Sequence, residues 1–238
     1  MTANYEIAPP ETAIDVIILS NTKDLNLYGL TQRTINTLRF SEDVTFNINV
    51  IESCSKYLDN GFVYNNCNVI TPNEEFAYNK FLNYGLAQCK NDWVVIANND
   101  LIFTKHWLSK LLTYNKNNPD VLSLSPWEPI WHIKRNLNID VPAYIGYRTS
   151  FEITGWCLLI HKSVIIKCNL FDPDFKFWYQ DNDYSLTLQK YNIKHALVTS
   201  SRVYHMVSGS HHLLSNNDKY NMTDGQLNVL RKKWGNMV

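Results

Sequence analysis

Trp93-Val94-Val95-Ile96-Ala97-Asn98-Asn99-Asp100 is an apolar run that stops abruptly in amides and a carboxylate. A short continuous run of this kind, rich in β-branched residues, reads as a strand buried on both faces of a parallel sheet. Ligands of open α/β sheets bind just beyond the carboxyl ends of such strands. Asp100 therefore stands where a divalent cation, which favours oxygen ligands, would be held. Asn and Asp are also turn formers, and an ordinary turn is the competing reading.

Outward from this strand the same pattern repeats. Ile14 to Ser20 is another buried strand, followed by a helix over Leu30 to Phe40. Phe46 to Ile51 is a strand that runs into Glu52. Glu74 to Lys90 has an apolar stripe (Phe76, Phe81, Leu82, Leu86, Ala87) at helical spacing, and His106 to Asn115 is a further helix. Strand and helix alternating in this way predict an α/β domain with a mostly parallel sheet. The second half is less regular. It holds a brief strand at Leu122 to Leu124, a Trp- and Pro-rich loop from Pro126 to Pro142, and a strand over Ile153 to Ile160. A helix over Asp181 to Tyr191 and a strand at Ala196 to Val198 follow. The last helix starts at an N-cap Thr223 and stops near Trp234-Gly235. No composition break marks a second domain, so the expectation is a polar leader over 1–13 and one domain over 14–238.

The 238 residues are 45% hydrophobic, enough for a sizeable core, and 22 basic residues balance 22 acidic ones. Global charge thus gives no sign of nucleic-acid or membrane affinity. Five cysteines, none in a C-x-x-C pair, read as buried free thiols in a reducing compartment rather than a zinc knuckle. The N-terminus lacks a basic region followed by an apolar run, so it is no signal peptide. No stretch approaches the ~18 apolar residues of a membrane span. The reading is a cytoplasmic protein, with Asn221-Met222-Thr223 a chance glycosylation sequon.

Two further clusters carry chemistry. In Trp178-Tyr179-Gln180-Asp181-Asn182-Asp183-Tyr184, two carboxylates sit two residues apart among aromatics. They form either an acidic helix start or a general base in an aromatic pocket, where burial lifts a carboxylate pKa. In Val203 to His212, His205, His211 and His212 lie beside Ser and Gly. Imidazole suits several transition metals, although a lone His after a strand is more often structural.

The order of these features resembles family 2 glycosyltransferases of the GT-A fold, a Rossmann-like mixed sheet flanked by helices. Asn79-Lys80-Phe81-Leu82-Asn83-Tyr84-Gly85-Leu86 is similar to that family's Asn-x-Gly-Leu helix. Gly155-Trp156-Cys157-Leu158-Leu159-Ile160 is similar to its glycine-led strand beside the acceptor, and Lys233-Trp234-Gly235 to its basic-Trp-Gly ending. The resemblance spans Ile14 to Gly235. It implies an inverting transferase that moves a hexosyl or pentosyl group from a nucleotide-diphosphate donor, UDP-sugar foremost, to an acceptor hydroxyl. It further implies that Asp100 and His205 hold Mn²⁺ or Mg²⁺ and that Asp181, with Asp183 as reserve, is the base. Ser20, Thr22, Arg33, Glu52, Asn79, Asn83, Asn98 and Asn99 would lie along the nucleotide sugar. Gly155, Trp156, Trp178 and Gln180 would lie on the acceptor side. Asn98 and Gln180 stand where the family has Asp and Glu, which lowers the charge of the site.

No covalent nucleophile is needed for that chemistry, and neither a G-x-S-x-G elbow nor a Walker A loop is present. Ser20-Asn21-Thr22-Lys23 is not Gly-rich, which argues against a nucleotidyltransferase. A non-catalytic, carbohydrate-binding relative is the other alternative, given Asn98 and Gln180. The acceptor candidates are a glycan, a lipid-linked sugar, a protein side chain or a modified nucleic-acid base. The last would suit a virus decorating its DNA in the host cytoplasm. The segment from Pro126 to Arg148, with Trp127, Trp131, His132, Lys134, Arg135, Tyr144, Tyr147 and Arg148, is the candidate acceptor surface.

Overall fold

The structure is a computed structural model that describes residues 13–54, 56–57, 59–206, 220 and 223–237. Of the expected leader over 1–13, residues 1–12 lie outside the described residues, whereas Ala13 opens the first strand. Gly209 to His212, and Asn221 and Met222 of the sequon, lie outside them as well.

Nine strands form one sheet in the order β3-β2-β1-β4-β8-β6-β9-β5, with β7 pairing β9. They are β1 Ala13–Ser20, β2 Thr45–Glu52, β3 Asn68–Ile70, β4 Trp93–Asn98, β5 Leu101–Phe103, β6 Val121–Trp127, β7 Ala143–Ile145, β8 Cys157–His161 and β9 Lys194–His205. β1, β2, β3, β4, β6 and β9 run one way, and β5, β7 and β8 run against them. The sheet is therefore mixed and mostly parallel. Among the described residues seven helices flank it: α1 Leu25–Phe40, α2 Tyr78–Leu86, α3 Trp107–Asn117, α4 Pro129–Lys134, α5 Lys162–Cys168, α6 Gln180–Lys190 and α7 Gln226–Trp234.

Alternation along the strands divides the core into two layers. Ile14, Val16 and Ile18 pack with Ile35, Leu38, Trp107 and Leu111 on one face. Ile17, Val94 and Ile96 pack with Phe81, Leu82, Tyr184 and Leu188 on the other. Gly85 is the close approach in this second layer, since an added Cβ would come within 2.6 Å of Ile17 Cγ2. That contact explains the glycine of the Asn-x-Gly-Leu segment.

Several boundaries differ from the sequence reading, each for a local reason. α1 starts five residues early because Asp24 caps it, accepting from Leu27 N at 2.9 Å. α2 is shorter than Glu74 to Lys90. At its start the Tyr78 amide donates to Lys176 O, and at its end Lys90 and Asn91 amides donate to the buried Asp15 carboxylate. The Pro126 to Pro142 loop contains α4, with Pro129 in its first turn and Glu128 as its cap. Ile153 to Trp156 forms a turn before β8 rather than part of the strand. α7 begins at Gln226 behind Gly225, so Thr223 is not its cap. The cysteines are free thiols, with Cys89, Cys157 and Cys168 buried and Cys54 and Cys67 half-buried. No helix of the described residues is long and apolar enough to cross a membrane.

Candidate active site

The turn after β4 is held rigidly by α1. The Thr34 hydroxyl lies 2.8 Å from Asn99 O and accepts Leu101 N–H at 3.0 Å, while Asn99 Nδ2 donates to Thr31 Oγ1 at 3.0 Å. Antiparallel pairing of β5 with β9 then places Leu101 opposite His205, and Met206 N donates to Asp100 O. As a result His205 Nε2 lies 3.1 Å from Asp100 Oδ1, and Asp100 is only 6% exposed. The His205 ring also stacks on Trp156, centroids 5.0 Å apart. A buried carboxylate oxygen beside an imidazole nitrogen is a donor set that fits Mn²⁺ or Mg²⁺ with further oxygen ligands. Among the described residues no group of three or more His, Cys, Asp or Glu gathers for a metal. These two side chains are thus the fit that the described chain offers.

Asp181 sits in the first turn of α6, directly over Gly155. An ideal Cβ at position 155 would fall 2.1 Å from Asp181 Oδ1 and 2.6 Å from its Cγ, so only glycine fits beneath the carboxylate. Burial pushes the Asp181 pKa from 3.8 up to about 6, although the Gly155 N–H, donating to the carboxylate, holds it down. Solvent still reaches part of the side chain, which is only half-buried. A helix N-terminus favours the ionised form, but desolvation is the larger effect here. The outcome is a carboxylate that is ionised at neutral pH and basic enough to take a proton.

Asp183 does not share this position. Its carboxylate accepts Trp234 Nε1 at 2.7 Å and faces Lys233 Nζ at 2.8 Å. Lys233 reaches Asp172 as well, at 2.8 Å. The reserve base of the sequence reading is therefore committed to anchoring α7 on α6, and the Lys233-Trp234-Gly235 ending has a structural task. Gln180 opens α6 with a buried Oε1 that meets no partner among the described residues, and Trp178 is 43% exposed.

On the nucleotide side, Ser20 and Thr22 belong to a buried hydroxyl network. Ser20 Oγ lies 3.0 Å from both Thr22 Oγ1 and Thr31 Oγ1, and Thr22 Oγ1 lies 2.5 Å from Tyr64 OH. Glu52 Oε1 accepts the amides of Thr22 and Cys54 at 2.9 and 2.8 Å. Its Oε2 is buried and faces no partner among the described residues. Asn98 closes β4, with its amide donating to Trp156 O. Other expected contacts go elsewhere. Asn79 Nδ2 donates to Asp172 O and Asn83 Nδ2 to Phe171 O, so these amides clamp the segment that leads to α6. Arg33 is exposed on α1, off the buried stripe of Thr31, Thr34, Ile35 and Leu38.

The family model described as glycosyl transferase family 2 matches residues 33–161, more than half of the chain. The chain belongs to glycosyl transferase family 2. Among solved structures, a crystal structure of GalNAc-T7 with UDP, GalNAc and Mn²⁺ is similar in fold, with a TM-score of 0.60 and 13% identity. The match covers 81% of this chain but only 43% of that one, so the present chain spans less than half of GalNAc-T7. No curated protein matches it. The GT-A fold expected from the sequence is thereby established.

Within this family 2 domain, the matched stretch carries Glu52, Asn98 to Asp100 and Gly155-Trp156, whereas Asp181 and His205 lie beyond it. The segment from Pro126 to Arg148 mostly packs its own aromatics. Trp127 and His132 are fully buried, with ring centroids 4.7 Å apart, and Arg135 covers the Trp131 ring at 4.6 Å. Arg148 pairs with Glu152 and lies over Phe151. Sequence reasoning missed Thr31 and Tyr64, which complete the hydroxyl network, and Tyr78, whose phenol feels both Asp181 and Asp100. Asn-rich helices draw attention to their amides, and nothing in the local pattern singles out the tyrosine.

Proposed function

We propose that this family 2 domain transfers a sugar from a nucleoside-diphosphate donor, a UDP-sugar foremost, to an acceptor hydroxyl by a single inverting displacement. The observation that carries the reading is the grouping across Gly155-Trp156. A carboxylate of raised pKa, Asp181, lies against Gly155, while the Asp100–His205 pair meets Trp156 on the next residue. The solved GalNAc-T7 complex, which holds UDP and Mn²⁺, supports the same choice of donor and cation.

Asp100 and His205 would hold Mn²⁺ or Mg²⁺ here, and such a cation stabilises the negative charge of a departing diphosphate as a Lewis acid. Glu52 Oε2 accepts from the nucleoside, and the Ser20–Thr22–Tyr64 network keeps that end of the site rigid. Asp181 takes the proton of the acceptor hydroxyl as its oxygen bonds to the anomeric carbon. The bond from that carbon to the diphosphate oxygen breaks on the opposite face. The configuration inverts through an oxocarbenium-like transition state, as in glycosidases. Holding both partners in line contributes several kcal/mol, on the order of 7 or more. A glycan hydroxyl is the acceptor class proposed, in keeping with the GalNAc that accompanies UDP in GalNAc-T7.

Thermal unfolding against UDP, GDP and their sugars, each with Mn²⁺ and with chelator, tests this reading. Ligand at about 100 times its dissociation constant stabilises by roughly 2.7 kcal/mol, a rise of about 5–10 °C for a chain of this size. A rise with one nucleotide that needs Mn²⁺ supports the donor assignment. Flat midpoints throughout would overturn it, and binding without turnover would favour a carbohydrate-binding relative.

A further inference from the structure

One face of α3 runs along a cavity of about 570 Å³, closed on the other side by Pro142, just ahead of β7, and by Val198 and Ser200 of β9. Small-molecule pockets span about 300–1,000 Å³, so the space suits a ligand of that class. Neither Glu52, Asp100, Asp181 nor His205 lines it, which separates it from the candidate active site. Lys110, Thr113 and Asn117 follow at helical spacing and so form a single stripe of α3 facing the cavity.

The polar groups of this cavity are uncommitted. Lys110, Thr113, Tyr114, Asn117 and Ser200 line it, and none of their side chains makes a hydrogen bond or ion pair among the described residues. The acids nearby are already engaged. Glu42 accepts the Leu108 amide at 2.8 Å, the Ser109 amide at 3.1 Å and the Ser109 hydroxyl at 2.6 Å, which caps the start of α3. Asp120 pairs with Lys194. Lys110 itself is half-buried. Burial, then the charge of Arg202, pulls its pKa down, and Glu42 offsets only part of that. A half-buried ammonium without a counter-ion is stabilised by an anionic group that can also accept its hydrogen bonds.

We propose that this cavity is a second binding site, for a saccharide that carries one acidic group, a phosphate ester or a uronate. The acidic group pairs with Lys110. The sugar hydroxyls meet Thr113, Tyr114, Asn117 and Ser200, whose side chains both donate and accept. A C–H face of the sugar ring packs on Pro142 and Val198. Five uncommitted polar groups around one small space favour a polyhydroxy ligand. An acid with an apolar body would cover most of them without matching them.

Calorimetric titrations of glucose 6-phosphate, glucuronate, glucose and inorganic phosphate into wild type and Lys110→Gln test the assignment, each with and without saturating UDP and Mn²⁺. At least one of the two sugar acids should bind saturably, tenfold or more tighter than glucose and inorganic phosphate. Binding of only one of them identifies the ester or the uronate as the ligand. Lys110→Gln should weaken that binding by on the order of tenfold or more, the loss expected for a charged hydrogen bond. Asn117→Ala, at an exposed position, should weaken it about three- to tenfold, and it carries the test should Lys110→Gln fail to fold. UDP with Mn²⁺ should leave the affinity for the acid unchanged. No saturable binding of either acid, or binding that both variants leave intact, would overturn the proposal. Competition by UDP would place the acid in the donor site and overturn it too. Glucose or inorganic phosphate binding as tightly as the sugar acids would overturn the assignment of an acidic saccharide. If wild type binds no UDP, the donor-site reading falls while this one stands on its own titrations.

Discussion

Replacing Asp181 by Asn tests the base through stability as well as turnover. The carboxylate is disfavoured in the folded protein, its pKa moving from 3.8 to about 6. A shift of about two units is at most ~3 kcal/mol. Part of the side chain faces solvent, which reduces the figure to about 1–2 kcal/mol. The sign follows from linkage. Between pH ~4 and ~6 the folded state binds more protons at this position than the unfolded one, so stability falls as pH rises through that window. Asp181→Asn removes the effect while its amide oxygen still accepts from Gly155. The variant should therefore unfold about 2–8 °C higher than wild type at pH 8, with the gap closing near pH 4. Transfer activity should drop by about 10²–10⁴-fold. Melting curves from pH 4 to 8, paired with a product assay, provide the measurement. A variant less stable than wild type at pH 8, or an offset independent of pH, would show that Asp181 is a satisfied structural carboxylate.

Other outcomes follow from the same geometry. Wild-type kcat/KM should rise with pH through about 6, the pKa of Asp181, as read from a pH–rate profile on a fixed donor. Gly155→Ala forces a methyl group to within 2.1 Å of Asp181 Oδ1. It should lower kcat/KM by on the order of 10²-fold, with little change in donor affinity by calorimetry. His205→Ala should abolish the Mn²⁺-dependent part of nucleoside-diphosphate binding and leave binding with chelator unchanged. Asp183→Asn weakens the tie from α6 to Lys233 and Trp234. Urea unfolding should show a loss of about 1–2 kcal/mol, while the pH dependence of kcat stays that of Asp181.

The sequence by itself determined the layered α/β architecture, because alternating buried strands and amphipathic helices leave few other ways to cover a sheet. It also determined the chemical candidates at strand ends. Asp100 after β4, Glu52 after β2 and the Gly155-Trp156 pair were legible as residue types at positions where ligands bind. Local signals that were present but weak, such as Asp24 before α1 or Glu128-Pro129 before α4, fixed boundaries that apolar periodicity alone misplaced.

Only the tertiary structure decided which of two nearby acids is free to act. Asp181 and Asp183 are two residues apart on one helix, yet the backbone turns one toward Gly155 and the other toward Trp234 and Lys233. It likewise brought His205 to Asp100 across 105 positions of sequence through the β5–β9 register. It also set the side-chain amides of Asn79 and Asn83 against the backbone of Asp172 and Phe171. The reason is physical: periodicity reports which face of an element is buried, but not which partner lies there. Burial of Asp181 sets its basicity, and that burial is made by residues distant in the chain.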